Sequence, residues 1–286
     1  MHIVLINPPV SRPCEPPAGL ARLAGTLRGH GCSYLAVDAN IEGLLFLLKG
    51  ATAARDTWSR RAINHLEENL SSLTSTRAFE NLGRYTRTVT ELNRILACMS
   101  NHSGAHITLN NYSQADLSPV SSADLLCSAQ KHRENVFYPY FKKRILAILE
   151  EYSLDIAGLS LNYLSQALTC FAMAGFIKQS CPDIKIVLGG GLVTSWMKSP
   201  GWKDPFSGLI DEMVAGPGEE RLLALAGEQY SNEASLPDYS PFTENRYLSP
   251  CRTVPYSASS GCYWGNCSFC PEKAEGNRYS CLSRAK

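Results

Sequence analysis

Strand and helix signals alternate at the start of the chain, and this alternation is the feature that most constrains its fold. A β-rich apolar run at Ile3–Ile6 ends in the Asn-Pro-Pro turn of residues 7–9. Apolar residues at helical spacing then predict a helix over Ala18–Leu27, and a second strand is predicted over Tyr34–Val37. Strands that alternate with helices in this way are typical of a parallel sheet covered by crossover helices.

The alternation resumes at Asp155 and completes a set of five predicted strands. The further strands are predicted over Ile156–Leu161, Ile184–Leu188 and Leu209–Ala215, with a helix over Ser165–Gln179 and another beginning near Glu219. The sequence therefore predicts an open, mostly parallel α/β sheet of the Rossmann-like, flavodoxin-like kind. Its ligand site is expected where the carboxyl ends of the strands meet the following loops.

Residues 41–151 separate these two parts and carry a different pattern. Helical periodicity dominates them, in Leu44–Leu48, Ile63–Leu73, Leu92–Met99 and Phe141–Leu149. We interpret them as a helical insertion within an α/β domain that spans residues 1–230. A Pro-, Ser- and Asp-rich linker is predicted at residues 231–252, and a strand at Thr253–Ser257 opens a further segment, residues 253–286.

Charge balance and hydropathy narrow the classes of partner. The chain of 286 residues has 27 Lys and Arg against 26 Asp and Glu, so it has no basic excess with which to bind nucleic acid. The longest uncharged stretch, Ile156–Ile177, contains Ser160, Asn162 and Gln166, which makes a membrane span costly. The first residues do not resemble a secretory signal. We therefore expect a soluble, cytoplasmic protein that binds small molecules and neither nucleic acid nor membrane.

Eleven cysteines are many for such a chain, and three of them form its strongest chemical signal. Cys262, Cys267 and Cys270 follow a C-x4-C-x2-C pattern. Three soft thiolates at this spacing can bind an iron–sulfur cluster and leave one iron open for another ligand. The alternative is a structural zinc site with Cys281 or Cys251 as the fourth ligand.

The cysteine segment SASSGCYWGNCSFCPE, residues 257–272, resembles the cluster loop of the radical S-adenosylmethionine enzymes. The upstream sequence resembles the cobalamin-binding domain that precedes the catalytic barrel in one branch of that superfamily. The matching stretches are INPPVSRPCEPPAGLARLAGTLRGHGCSYLAVDAN, DIAGLSLNYLSQAL, IKIVLGGGLVTSW and AGPGEERLLAL. The usual cysteine spacing in the superfamily is C-x3-C-x2-C, and this chain has one more residue between the first two cysteines.

The resemblance implies roles for the cysteine segment. Cys262, Cys267 and Cys270 would bind a 4Fe-4S cluster whose fourth iron binds S-adenosylmethionine, and Phe269 would lie against the adenine. An electron from a donor protein would then cleave S-adenosylmethionine to a 5′-deoxyadenosyl radical. Peptides and small metabolites are the expected classes of substrate.

The resemblance also implies that the loops after the strands bind cobalamin. Glycine permits the close approach of a bulky cofactor, and Ser, Asn and Gln side chains can hydrogen-bond its nucleotide and amides. The candidate residues are Asn7, Pro8, Pro9, Ser160, Asn162, Tyr163, Ser165, Gln166, Gly189, Gly190, Gly191, Gly216, Gly218 and Glu219. For each loop taken alone, an ordinary turn is the alternative interpretation.

Two other cofactor patterns are absent from the sequence. Residues 189–194 do not match G-x-G-x-x-G and follow a late strand, which argues against a nicotinamide cofactor. The D-x-H-x-x-G signature of mutase-type cobalamin domains does not occur after Asp38, Asp155 or Asp183. No histidine is therefore expected to bind cobalt from below, and the resemblance implies a base-off cobalamin, which suits methyl transfer.

The length limits what the last segment can form. Sixteen residues follow Cys270, whereas a (β/α)₈ barrel needs about 250 residues. We therefore expect the cofactor domain followed by the first strand and cluster loop of an incomplete radical S-adenosylmethionine barrel, as a fragment or as part of a split enzyme. The leading hypothesis is a cobalamin-dependent methyltransferase that acts on an unactivated carbon. The alternatives are a non-catalytic cobalamin-binding module and a zinc-stabilised α/β protein.

Overall fold

A five-stranded parallel sheet lies at the centre of this computed structural model, which describes residues 1–52, 56–100, 104–229, 236–270, 272 and 277–281. The strands of these residues are β1 (His2–Asn7), β2 (Ser33–Asp38), β3 (Ala105–Ile107), β4 (Tyr112–Gln114), β5 (Ile156–Ser160), β6 (Lys185–Gly189), β7 (Glu212–Met213), β8 (Ser259–Ser260) and β9 (Ser280–Cys281). The sheet order is β2-β1-β5-β6-β7, with parallel pairing throughout. This order, 2-1-3-4-5 by position along the chain, is the one found in flavodoxin-like sheets. The predicted α/β class is confirmed.

Helices cover both faces of the sheet. In chain order they are α1 (Ala18–Gly29), α2 (Ala39–Gly50), α3 (Thr57–Asn64), α4 (Leu66–Leu73), α5 (Thr76–Phe79), α6 (Leu82–Ser100), α7 (Ser122–Gln130), α8 (Tyr138–Tyr140), α9 (Leu146–Glu151), α10 (Leu164–Ser180), α11 (Gly191–Met197) and α12 (Glu219–Ala226). A π-helical turn, Phe141–Ile145, joins α8 to α9, and short 3₁₀ turns lie at His132–Glu134 and Ser240–Phe242.

Alternate residues of β1 enter two different hydrophobic cores. Ile3 belongs to a buried cluster with Leu20 of α1 and Leu223 of α12. Val4, the next residue, belongs to the cluster on the opposite face, which includes Leu168 of α10. Side chains of successive strand residues point to opposite faces, so a strand covered by helices on both sides must be apolar throughout. This explains the uninterrupted apolar run at the start of the chain.

Residues 41–151, predicted as a helical insertion, consist mostly of helices α2 to α9, and they share a core with the sheet. Leu44 of α2, Leu92 of α6 and Phe137 before α8 are buried in the same apolar cluster as Ile6 and Val37 of the sheet. A short antiparallel hairpin of β3 and β4 interrupts the helices and was not predicted. The insertion therefore extends the hydrophobic core on one face of the sheet.

The strand predicted at Thr253–Ser257 is wrong. These residues form no strand, and beyond them the described residues contain the two-residue strands β8 and β9, which pair antiparallel. Pro255 lies within the predicted strand and has no N–H to donate to a neighbour. Its carbonyl accepts a hydrogen bond from the Tyr239 hydroxyl at 2.6 Å. The described residues of this segment therefore contain no strand of a parallel barrel.

The strand predicted at Leu209–Ala215 is confirmed only in its centre, as β7. At its start, the amides of Leu209 and Ile210 donate to the carbonyl of Phe206 and form a turn. These donors cannot also pair with β6, so the strand begins later than the apolar pattern suggests.

The described part of the predicted linker packs against the α/β domain. The Tyr34 hydroxyl donates to the Asp238 carboxylate at 2.7 Å, and the Leu248 amide donates to the Pro13 carbonyl at 2.8 Å. The Asp238 carboxylate also forms an ion pair with Arg28. These contacts fix the end of the linker beside β2 and the loop after β1.

Candidate cofactor pocket

A pocket of about 510 Å³ opens at the carboxyl ends of β5, β6 and β7. The loops that follow these strands form one wall, and α1 and α12 form the other. Parallel strands end at the same edge of a sheet, so the loops after them converge there. The pocket therefore lies where ligands bind in open α/β sheets.

The pocket combines apolar walls with a few polar groups. The apolar residues are Leu5, Leu20, Leu23, Leu159, Val187, Val214 and Leu222, and the polar or charged ones on the strand loops and helices are Arg22, Ser160, Asn162, Thr194 and Glu219. Small-molecule and cofactor sites in proteins typically have about 300–1,000 Å³ and this kind of lining. The composition fits a ligand with a flat or aliphatic body and hydrogen-bonding edges.

Close packing makes glycine necessary at one position of the pocket wall. Gly190 has a φ of 113°, and a Cβ there would collide with the backbone of Leu161. The amide of Leu161 donates to the carbonyl of Gly189 at 2.7 Å, which holds the two loops together. A side chain at position 190 would separate the loops after β5 and β6.

Hydrogen bonds connect the loops that line the pocket. The Thr194 hydroxyl donates to the Gly190 carbonyl and accepts from the Gly216 amide, both at 2.9 Å. Asn162 accepts from the Gly191 amide at 3.0 Å. The loops after β5, β6 and β7 therefore form one connected wall, which is preorganised for a ligand.

An ion pair between Arg22 of α1 and Glu219 of α12 lies at the rim of the pocket. The Arg22 side chain is 58% exposed and the Glu219 side chain is 13% exposed. Glu219 opens α12, where a carboxylate also interacts favourably with the positive end of the helix dipole. The pair links the two helices that form the second wall.

The loop after β1 does not reach this pocket. Asn7, Pro8 and Pro9 are buried, and none of them lines it. The Gln166 side chain is completely buried and donates to the Asn7 side chain at 3.0 Å and to the Pro8 carbonyl at 2.7 Å. The Thr169 hydroxyl donates to the Pro9 carbonyl. Their polar atoms are therefore occupied within the protein.

The first turn of α10 holds the loop after β1 in place. The Ser165 hydroxyl donates to the Val10 carbonyl at 2.8 Å. The Gln166 side-chain oxygen accepts from the amides of Asn162 and Tyr163, both at 3.1 Å. The Tyr163 side chain is 60% exposed and does not line the pocket. Ser165 and Gln166 thus position loops, and they do not face the cavity.

Asp38 at the end of β2 is a buried acid that the sequence analysis did not single out. Its carboxylate accepts hydrogen bonds from the Asn7 side chain and from the Tyr247 hydroxyl, both at 2.8 Å. Burial raises the pKa of Asp38 to about 6, and these hydrogen bonds only partly oppose the increase. The sequence signal for this position is that Asp38, an acidic residue, directly follows the predicted strand Tyr34–Val37.

The segment with the three clustered cysteines lies beside the pocket. Cys262, Cys267 and Cys270 are each partly buried, whereas the Phe269 side chain is 88% exposed. Among the described residues, no group of three or more His, Cys, Asp or Glu side chains is arranged to hold a metal ion. Within the part of the chain that the structure describes, the three thiols therefore do not form a ligand set, and neither they nor Phe269 line the pocket.

The cysteine segment nevertheless forms part of the pocket lining. Ser260, Gly261 and Glu272 of this segment line the pocket, together with Asn277 and Arg278, which follow it in the chain. The Lys198 side chain, after α11, donates to the Asn277 side chain at 2.9 Å and links the chain just after this segment to the α/β domain. The pocket thus places the glycine loops and the cysteine segment around one cavity.

The pocket contains part of the predicted cofactor site. The predicted residues that line it are Ser160, Asn162, Gly189, Gly190, Gly191, Gly216, Gly218 and Glu219. The predicted residues outside it are Asn7, Pro8, Pro9, Tyr163, Ser165, Gln166 and Phe269. Arg22, Thr194 and Glu272 also line the pocket and were not predicted, because no local pattern distinguishes these residues from ordinary surface positions.

No helix of the described residues is both long and apolar enough to cross a membrane. Comparisons of the chain with protein-family models, with curated proteins and with solved structures found no match.

Proposed function

We propose that this protein binds cobalamin in the pocket at the ends of β5, β6 and β7, as the cofactor domain of a radical S-adenosylmethionine methyltransferase. The observation that carries the proposal is one cavity lined both by glycine-rich strand loops and by the segment with the three clustered cysteines. The resemblance of both stretches to that superfamily adds the chemistry. The substrate would be a peptide or a small metabolite, and an electron-donor protein would serve the cluster.

The donor set of the pocket fits cobalamin. Gly190 leaves its wall free of a side chain, and the connected loops present Ser160, Asn162 and Thr194 to a ligand that is rich in amide groups. When bound, cobalamin supplies a transferable methyl group. The residues of this chain bind and orient it.

The cysteine segment supports the radical part of the proposal through the chemistry of its side chains. Cys262, Cys267 and Cys270 supply three soft sulfur ligands, which suit a 4Fe-4S cluster. Gly261 has a φ of 71°, and a Cβ there would collide with the backbone carbonyl of Arg278. The chain therefore turns tightly just before the first cysteine. The proposed radical chemistry rests on this motif alone, because the three thiols do not form a ligand set in the described part of the chain.

The cobalamin site is tested by filling the pocket with a side chain. Gly218 lines the pocket and has a φ of −95°, which any residue can adopt, and a Cβ there would lie 3.5 Å from Cδ2 of Leu23. We expect Gly218→Leu to weaken hydroxocobalamin binding at least tenfold, measured by equilibrium dialysis with absorbance detection. Gly83→Leu, at the exposed start of α6, is the matched control and should bind as the unchanged protein does. Equal binding of hydroxocobalamin by both variants would mean that cobalamin does not bind in this pocket.

The cysteine site is tested by anaerobic reconstitution with iron and sulfide. We expect iron–sulfur absorbance that is lost in Cys267→Ala and retained in Cys181→Ala, which changes a partly buried cysteine far along the chain. Stoichiometric zinc without iron would contradict the radical part of the proposal. Tight cobalamin binding without cleavage of S-adenosylmethionine by the reconstituted protein would leave a cobalamin-binding module.

A further inference from the structure

A second cavity, of about 340 Å³, shares no lining residue with the proposed cofactor pocket. Most of its lining comes from residues 239–254, where the described end of the linker continues into the next segment. Pro16, between β1 and α1, and Thr74, directly after α4, complete the wall. The cavity therefore lies where the linker meets both the α/β domain and the helical insertion.

The charged residues that line this second cavity are cationic. Arg246 and Arg252 line it, and none of the described lining residues is acidic. The Arg246 guanidinium has partners, because it donates to the Glu67 carboxylate at 3.0 Å and to the Ser71 hydroxyl at 3.2 Å. Arg252 is exposed, and its guanidinium has no ion pair and no hydrogen bond with any described residue. A guanidinium only donates hydrogen bonds, so Arg252 can bind an anion without losing an existing contact.

Backbone donors accompany Arg252 along the cavity wall. Cys251, Arg252, Thr253 and Val254 are consecutive lining residues, and none of their amides donates to an acceptor in the described part of the chain. Guanidinium groups and backbone N–H groups are the usual donors to phosphate oxygens in proteins. This stretch therefore offers several donors to one anion, and the lining brings no carboxylate to compete for them.

Aromatic residues supply the apolar part of the lining. Phe242 is buried, and Tyr239 and Tyr247 are partly buried. The Tyr239 hydroxyl donates to the Pro255 carbonyl at 2.6 Å, and the Tyr247 hydroxyl donates to the Asp38 carboxylate at 2.8 Å. The polar ends of both tyrosines are thus occupied, and their rings are left for apolar contact. An inorganic phosphate ion alone would leave most of such a cavity unfilled, so the lining fits an anion that carries a small ring.

We propose that this second cavity binds a small organic phosphate. The Arg252 guanidinium and the amides of residues 251–254 hold the phosphate group, and the rings of Tyr239, Phe242 and Tyr247 contact the organic part. A phosphate monoester has more acceptor oxygens and more negative charge than a carboxylate, so it makes fuller use of several donors. The site is separate from the proposed cobalamin pocket and does not depend on it.

The test measures the binding of phenyl phosphate and inorganic phosphate to the full chain by isothermal titration calorimetry. We expect phenyl phosphate to saturate one site and to bind about tenfold more tightly than inorganic phosphate, because its ring buries apolar surface. Arg252→Gln removes the charged donor and should weaken phenyl phosphate binding at least about tenfold. Arg84→Gln, at an exposed position in α6 that lines neither cavity, is the matched control and should bind as the unchanged protein does.

A second variant keeps both arginines and adds a negative charge. Val254 is 51% exposed, so Val254→Glu should fold normally and weaken phenyl phosphate binding at least about threefold by repulsion. Val120→Glu, at a position that is 73% exposed and outside the cavity lining, is its control. Circular dichroism verifies the fold of each variant.

Three results would overturn the proposal. Phenyl phosphate could fail to show saturable binding to the unchanged protein, or Arg252→Gln and Val254→Glu could bind it as tightly as their controls do. Benzoate, the carboxylate analogue, should bind more weakly than phenyl phosphate, and equal binding of the two would contradict the assignment to phosphate.

Discussion

The carboxyl edge of the sheet differs between its two halves. At the ends of β1 and β2, Asn7, Asp38 and Gln166 fill the space with a buried hydrogen-bond network. At the ends of β5, β6 and β7, the same edge is open and forms a pocket of about 510 Å³. Polar residues at strand ends therefore form a buried network in one half of the sheet and line an open pocket in the other. At the end of β1, the Gln166 side chain from α10 fills the space.

The buried half should be the more sensitive to substitution. Replacing Gln166 with alanine leaves the buried Asn7 side-chain oxygen and the buried Pro8 carbonyl without their present donor. Each buried unpaired group costs about 1–3 kcal/mol, so we expect the free energy of unfolding to fall by about 4 kcal/mol in urea titrations. Gln229→Ala, at an exposed position, is the control. A loss below about 1 kcal/mol would mean that the network does not stabilise this edge.

The pH dependence of stability should report on Asp38. Its pKa is about 6 in the folded protein because of burial and about 3.9 in an unfolded chain, so the folded state holds this proton more tightly between those values. The protonated Asp38 therefore stabilises the folded state fully below about pH 4, and this stabilisation is lost as the pH rises through 6. The expected loss in the free energy of unfolding is about 3 kcal/mol.

Asp38→Asn removes this titration and should flatten the corresponding part of the stability curve. The measurement is urea unfolding from pH 4 to 7, read as the difference between the variant and the unchanged protein. Other carboxylates cancel in that difference. Asp183→Asn, at an exposed position, should leave the curve unchanged. Parallel curves for Asp38→Asn and the unchanged protein would show that Asp38 is not protonated in the folded state near pH 5.

The open half should tolerate loss of its rim ion pair. Arg22 is 58% exposed, and ion pairs with an exposed partner contribute about 0.5 kcal/mol. We expect Arg22→Ala to lower the melting temperature by only about 1–2 °C, with the same small change in Glu219→Gln. Differential scanning calorimetry at low and high salt measures the melting temperatures, and the difference between variant and unchanged protein should be smaller at high salt. A destabilisation of Arg22→Ala as large as that of Gln166→Ala would contradict the expected difference between the two halves of the sheet edge.

Local sequence patterns were sufficient for the elements of the sheet but not for every strand end. The apolar run at Ile3–Ile6 and the helical spacing over Ala18–Leu27 appear in the structure as β1 and α1. At Thr253–Ser257 the pattern suggested a strand, and none formed, because Pro255 lacks a donor and no parallel neighbour is present among the described residues. Strand formation requires a partner, and a local pattern does not contain one.

The candidate site divides in the same way. The glycines at 189–191 and at 216 and 218 were predicted as ligand loops, and all of them line the pocket. Asn7 was predicted alongside them, but the Gln166 side chain, 159 positions later in the chain, covers it. Glu272 was not predicted, and it reaches the pocket only because the chain folds back over the sheet edge.

The sequence by itself determined the alternation of strands and helices, the glycine-rich turns and the spacing of the three clustered cysteines. These are local properties, set by side-chain periodicity and by the backbone freedom of individual residues. Only the tertiary structure decided which strand ends are filled and which are open, and that the cysteine segment lines the same pocket as the glycine loops. Such outcomes depend on contacts between residues far apart in the chain, whose energies no local pattern records.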